Sequence, residues 1–235
     1  MSDPSAARAT PADAVERWPV ESSGIAWDSG RVIAVRTEQV RSPEGELLTR
    51  DFIRHPGAVA VVCLDEDDRV LVVDQYRHPV GHRLIEPPAG LLDVDNEDPA
   101  VAAARELFEE GHVRAGSWWL LTEFATSPGM ADEVVRVFLA RDVTAVKGTD
   151  RYVAHGEEAS MTVSWIPLDE LVDGVLAGRL HNPNMVIGAL AAWAARERGW
   201  RDLRPASTPW AFKDGLPGRS FGPGPQDVPR LESDA

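Results

Sequence analysis

The sequence predicts an α/β fold: an α/β/α sandwich around a mixed sheet, preceded by an antiparallel strand pair. Three observations lead to it. Apolar or alternating runs of strand length recur from Arg31 to Ile166. A capped, amphipathic helical segment, Pro99 to Val113, interrupts them. Two more helical segments, Leu168–Leu176 and Asn182–Arg198, follow the last strand-like run.

Residues 1–23 are rich in Ala, Pro, Ser and acids, and read as a poorly ordered segment. Arg31–Val40 alternates, Ser42-Pro43-Glu44-Gly45 is a turn, and Leu47–Arg54 returns, so 24–56 forms the strand pair. Ala58–Leu64 is apolar throughout, as a strand buried on both faces requires. Asp65–Asp68 turns the chain into Val70–Tyr76, and the short Arg83–Pro87 stretch leads into a loop at Gly90. Asp98 and Pro99 open a helix as N-cap and first residue. Trp118–Phe124, Val134–Ala140 and Met161–Ile166 read as three more strands. An Asn cap starts the last helix, whose Val186, Leu190 and Trp193 form an apolar stripe for core or dimer packing. These elements make one domain over 57–203. Beyond Arg204, six prolines and four glycines break every pattern, so 204–235 is expected to be an extended or disordered tail. Trp210, Phe212 and Phe221 are its candidates for local docking.

Composition narrows the function. A net charge of −14 disfavours nucleic acid and anionic membranes as partners. It leaves nucleotide substrates open, because a bound cation reverses the local field. Cys63 is the only cysteine and lies in an apolar run, which suits a reducing cytoplasm. The N-terminal residues contain no apolar signal core, and the longest apolar run, near Met185–Ala195, is too short to span a bilayer.

The chemistry concentrates on the helix after Asp98. Glu106, Glu109 and Glu110 share a helix face behind Arg105. Such a face either is solvated, with Arg105 and Glu109 as an i,i+4 pair, or holds a hard divalent cation. Glu109 and His112 also have the Glu-x-x-His spacing of di-iron bundles, but no second such pair is present.

The stretch Glu86-Pro87-Pro88-Ala89-Gly90, then Glu97, then Arg105-Glu106-Leu107-Phe108-Glu109-Glu110, resembles the signature of the Nudix hydrolases. Seven residues separate Glu97 from Arg105, as in that signature, and Val113 fills its last apolar place. The chain departs from the signature twice. Six residues rather than five separate Gly90 from Glu97, and His112 stands where the family has Gly. That Gly ends the helix with positive φ, which His adopts at some cost, so a slightly strained cap is expected. The resemblance implies a Nudix-type sandwich in which Glu106, Glu110 and the Ala89 carbonyl hold Mg²⁺, with Mn²⁺ as the alternative. Glu109 would ligate the ion or orient Arg105, while Gly90 and Glu97 would support the loop.

Three further stretches resemble the ADP-ribose pyrophosphatases within that family. Pro128-Gly129 lies at their proline position, fifteen residues past Val113. Gln75-Tyr76-Arg77-His78-Pro79-Val80-Gly81 resembles their QYR-x-x-x-G stretch, which assigns Arg77, and Glu86 near it, to substrate. The N-terminal strand pair resembles their dimerisation sheet, which exchanges between subunits and would bring Arg50 to the partner's adenine. This implies a homodimer acting on a small nucleotide diphosphate. The resemblance also places a catalytic glutamate on the loop before the last strand, where either Glu157 or Glu158 fits. The expected reaction is metal-dependent hydrolysis of ADP-ribose to AMP and ribose 5-phosphate. Sugar nucleotides, NADH and diadenosine polyphosphates are alternative substrates. A non-catalytic, nucleotide-binding regulatory domain is the alternative of another class.

Overall fold

A computed structural model describes residues 11–28, 30, 32–146, 160–214 and 216. In chain order its elements are β1 (Val20–Asp28), β2 (Ala34–Arg41), β3 (Leu47–Arg54), β4 (Ala58–Cys63), β5 (Arg69–Arg77), β6 (His82–Glu86), β7 (Ala89–Leu91) and α1 (Pro99–Gly111). Then come β8 (Val113–Ala125), β9 (Val134–Ala145), β10 (Thr162–Pro167), α2 (Leu168–Leu176), α3 (Pro183–Glu197), β11 (Arg204–Pro205) and α4 (Ala211–Asp214).

The strands form three sheets, ordered β1-β2-β3, β10-β5-β6 and β11-β8-β9-β4-β7. The last is mixed, since β4 runs parallel to β9 and antiparallel to β7. Its centre is β4, where alternate residues feed opposite layers. Val59, Val61 and Cys63 pack with Ala103 and Leu107 of α1, together with Phe138 and Trp210. Ala58, Ala60 and Val62 pack with Leu171 of α2 and with Met185 and Ala189 of α3. A strand buried on both faces has no polar side to alternate with, so the unbroken apolar run is explained. The expected α/β/α sandwich around a mixed sheet is the observed architecture.

Three places differ from the sequence expectation. The N-terminal pair β2–β3 forms, but β1 joins it, so the sheet has three strands and Val20–Ser23 belong to a strand. All nine residues of β1 are exposed. The strand is held by pairing with β2, and it leaves no burial pattern in its sequence. On α3 the buried face is Met185, Gly188, Ala189 and Ala192, while Trp193 is exposed. Small residues win there because the helix lies close on β4: a Cβ on Gly188 would stand 2.9 Å from Val62 Cγ2.

The segment 204–216 also departs from an extended tail. β11 pairs with β8, and Trp210 and the Lys213 side chain are buried. Arg136 donates to the carbonyls of Thr208 (2.8 Å) and Pro209 (3.1 Å), and Lys213 Nζ donates to Pro56 O (3.0 Å). Both cations lie over the Trp210 ring, 4.9 and 4.8 Å from its centre. Prolines hold this strap extended, and buried donors read its carbonyls. Phe221 lies outside the described residues.

Candidate active site

The helix that carries the carboxylates begins as its sequence requires. The Asp98 side chain accepts from Ala100 N (2.8 Å), and Pro99 is the first helical residue. The helix ends on His112 at φ 53°, ψ 34°, in the left-handed region that the missing glycine would occupy. His112 N–H still closes the last turn onto Phe108 O (3.1 Å). The expected strained cap is present, and it lies past all three carboxylates.

β7 brings the Ala89-Gly90 backbone against that helix. Its register sets Ala89 beside Ala60 and Gly90 beside Val59. The Ala89 N–H donates to Glu110 Oε2 at 3.0 Å. A Cβ built on Gly90 would fall 2.0 Å from Glu106 Cδ, so the Glu106 carboxyl occupies the space that any side chain there would need. Strand and helix thus interlock through the two glutamates assigned to metal.

Arg105 ties the acidic face together. Its Nε and Nη2 donate to the two oxygens of Glu97 at 3.0 and 2.9 Å. Its Nη1 donates to Glu106 Oε1 at 2.6 Å and to Glu109 Oε2 at 3.3 Å. The bidentate hydrogen bonds that Arg105 donates to Glu97 hold its guanidinium pKa well above the usual arginine range; burial opposes this, and Glu106 adds to it. Glu97 therefore works as a support for Arg105, and the one-residue-longer loop still delivers it there.

Among the described residues, no three His, Cys, Asp or Glu side chains converge as a closed metal cage. The donor set nevertheless fits a hard divalent cation. The candidate ligands are carboxylate oxygens, and Mg²⁺ is usually held by one or two carboxylates with phosphate and water completing its shell. The Glu106 carboxyl seated over Gly90 and the Glu110 carboxyl held at Ala89 provide such a pair.

The remaining assigned residues fall in two other places. Arg77, at the end of β5, makes a bidentate ion pair with Glu86 at the end of β6: Nε to Oε1 2.9 Å, Nη2 to Oε2 2.6 Å. Glu86 is 1 % exposed and Arg77 42 % exposed. Arg50, expected at the partner's adenine, lines a cavity of its own chain, about 440 Å³ in volume, with Pro128, Gly129, Met130 and Phe212. The carboxylates of α1 are not in its lining. Proline-rich flanks had left Phe212 no more than a docking candidate, and only the strap's anchors place it at this cavity. Glu157 and Glu158 lie outside the described residues. The strands on either side of them are β9 and β10, and Ser160 O accepts from Arg83 Nη2 (3.0 Å).

Comparison with known proteins agrees with this geometry. The NUDIX domain family matches residues 54–186. The chain is similar to an ADP-ribose pyrophosphatase of Mycobacterium tuberculosis, at 44 % identity over 77 % of this chain and 86 % of that one. It is also similar to a methanol dehydrogenase activator of Bacillus methanolicus, at 35 % identity over 68 % of this chain and 84 % of that one. A crystal structure of an ADP compounds hydrolase shares the fold, with TM-score 0.65 and 17 % identity, over 80 % of this chain and 99 % of that one. The match runs from the end of β3 into α3 and takes in the whole carboxylate helix with its supporting loop; by it, this chain belongs to the Nudix family.

Proposed function

We propose that this protein hydrolyses the diphosphate of ADP-ribose, with water attacking phosphorus and AMP and ribose 5-phosphate leaving as products. The reaction class rests on one observation above all: Glu106 and Glu110 are locked against Ala89-Gly90 while Arg105 is held by Glu97. The choice of ADP-ribose rests on similarity to the ADP-ribose pyrophosphatase over most of both chains.

Nudix hydrolases generally need a divalent metal; here Glu106, Glu110, Glu109 and the Ala89 carbonyl would hold Mg²⁺, or Mn²⁺ in its place. A bound ion supplies Lewis-acid polarisation of the diphosphate and a lower pKa for water. Arg105 positions Glu106 and Glu109, and Gly90 keeps the space that Glu106 fills. Glu157 or Glu158 takes the proton of the attacking water. Arg77, held by Glu86, presents its outer N–H groups to phosphate or the terminal ribose. Arg50, Pro128 and Gly129 serve the nucleoside end. No covalent enzyme intermediate is needed.

The protein acts as a homodimer in the cytoplasm. Supporting the dimer, β1 leaves Ile25 and Trp27 more than half exposed on the N-terminal sheet. No helix among the described residues is long and apolar enough to cross a membrane.

The test is a substrate panel of ADP-ribose, NADH, GDP-mannose and diadenosine polyphosphates with Mg²⁺, using wild type and Glu110→Gln. AMP appearing fastest from ADP-ribose, with the variant down by about a hundredfold or more, is the expected result. Faster turnover of another nucleotide would move the substrate and keep the chemistry. No cleavage of any would leave a nucleotide-binding regulatory role.

A further inference from the structure

The strap that follows β11 has no part in the reaction as described above, yet it is anchored more firmly than a tail needs. Trp210 sits between Arg136 and Lys213, and three main-chain carbonyls accept from these two cations. This anchoring fixes α4, and with it Phe212, which remains 44 % exposed. A large aromatic ring held half in solvent by a buried scaffold is poised to be covered by something else.

The cavity it faces is specific in shape and chemistry. Arg50 and Glu38, which stand opposite each other in the β2–β3 register, form one side. Gly129, Met130 and Phe212 also line it. Its volume, about 440 Å³, is that of a small-ligand pocket. Much of the lining is apolar, and its charged members are Arg50 with the acids Glu38, Asp51, Asp132 and Glu133, which suits a flat heterocycle with hydrogen-bond donors on its edge better than a bare anion. Phosphate alone would find little there beyond Arg50.

The cavity also lies at the right end of the molecule. Val134 lines it, and Val135 pairs with Ala58, one residue from the Val59 that pairs with Gly90. At about 3.3 Å per residue, the cavity wall and the Glu106 seat are some two residues apart along β4. Val134, Trp210 and the buried residues of α1 belong to one core layer, so both features lie on the same face of the sheet.

We propose that Phe212 is the stacking wall of the nucleobase subsite, and that the 204–216 strap exists to hold it there. The inference rests on the ADP-ribose reading for the identity of the base. The Phe212 ring stacks on the adenine face, while Arg50 and Glu38 meet the polar edges. Specificity for the base is thus set by a segment C-terminal to the family's matched region.

Calorimetry of AMP binding with Mg²⁺, alongside ADP-ribose kinetics, tests this in wild type, Phe212→Ala and Phe212→Trp. Loss of a base–aromatic stack should weaken AMP by about tenfold or more in the Ala variant. KM for ADP-ribose should rise in parallel, with kcat changed by less than about twofold. Trp should retain both. Inhibition by ribose 5-phosphate, which has no base, should be the same in all three, and so should the melting temperature. Unchanged AMP affinity in a folded Phe212→Ala protein overturns the proposal. Equal weakening of AMP and ribose 5-phosphate, a Trp variant as weak as Ala, or a wild type that does not bind AMP does the same. A wild type that binds AMP through Phe212 but cleaves no ADP-ribose would sink the substrate reading and leave the subsite standing.

Discussion

Gly90 shows how little freedom single residues have at this site. Gly90→Ala puts a methyl group 2.0 Å from Glu106 Cδ, so the Glu106 carboxyl must leave its seat. A shift of about 1 Å there should cost about a hundredfold in kcat, with little change in melting temperature. Kinetics that match Glu106→Gln would bear this out, and near-normal kcat would refute it. Arg77→Ala leaves the Glu86 carboxylate, 1 % exposed, without its two N–H donors. The expected destabilisation is about 2 kcal/mol, reduced from the fully buried case because Arg77 is partly solvated; urea melts would measure it. Cys63 makes a different point. Burial pushes its thiol up to about 12, with Asp65 adding to the effect. Thiolate is therefore scarce at pH 8, and thiol reagents should label one cysteine per chain only after denaturation. Labelling of the native protein at a comparable rate would contradict the packed core. Of these residues the sequence named the glutamates and Arg105 by spacing alone. The Arg77–Glu86 pairing was beyond it, because a cross-strand contact depends on register.

Elements with burial, caps or a turn signal were legible, including the β2–β3 hairpin; β1, held by pairing alone, was not. α1 announces itself with Asp98-Pro99, and α2 has the predicted bounds, Leu168–Leu176. β1 has neither cap nor alternation, so only β2 reveals it. Of the expected α3 stripe Leu190 packs on the core, while the close approach to β4 falls to Gly188 and Ala189, which bulk does not reveal. The end of α1 offers a direct test of the departure from the family signature. His112 sits at φ 53°, and its Nδ1 is buried without a hydrogen bond among the described residues. His112→Gly should stabilise the protein by about 1 kcal/mol, since it removes a left-handed Cβ and an unpaired polar atom. For a domain of this size that raises the melting temperature by about 2–4 °C. A lower melting temperature would mean that the His112 ring contributes packing that outweighs its strain.

At the scale of the molecule, the β4-centred sandwich and the site share one foundation, and the C-terminal strap is part of it. Trp210→Ala removes a buried ring that two cations stack on, and should cost about 3 kcal/mol. Scanning calorimetry should show a fall of several degrees; no change would mean that the strap is dispensable for stability. Composition had suggested the opposite, because Pro and Gly content reports backbone habit and is silent on buried cations waiting for carbonyls. The strap carries one more implication. Asp13 to Trp18 line a common cavity of about 820 Å³ with Ala211, Phe212 and Leu216, so the first and last parts of the described chain converge. In topological terms the described stretch from Asp13 to Leu216 is almost a ring, and its open point sits beside Arg50 and Phe212. A circular permutant that joins Asp13 to Leu216 through a short linker and opens the exposed turn at Pro43-Glu44-Gly45 should keep every sheet register.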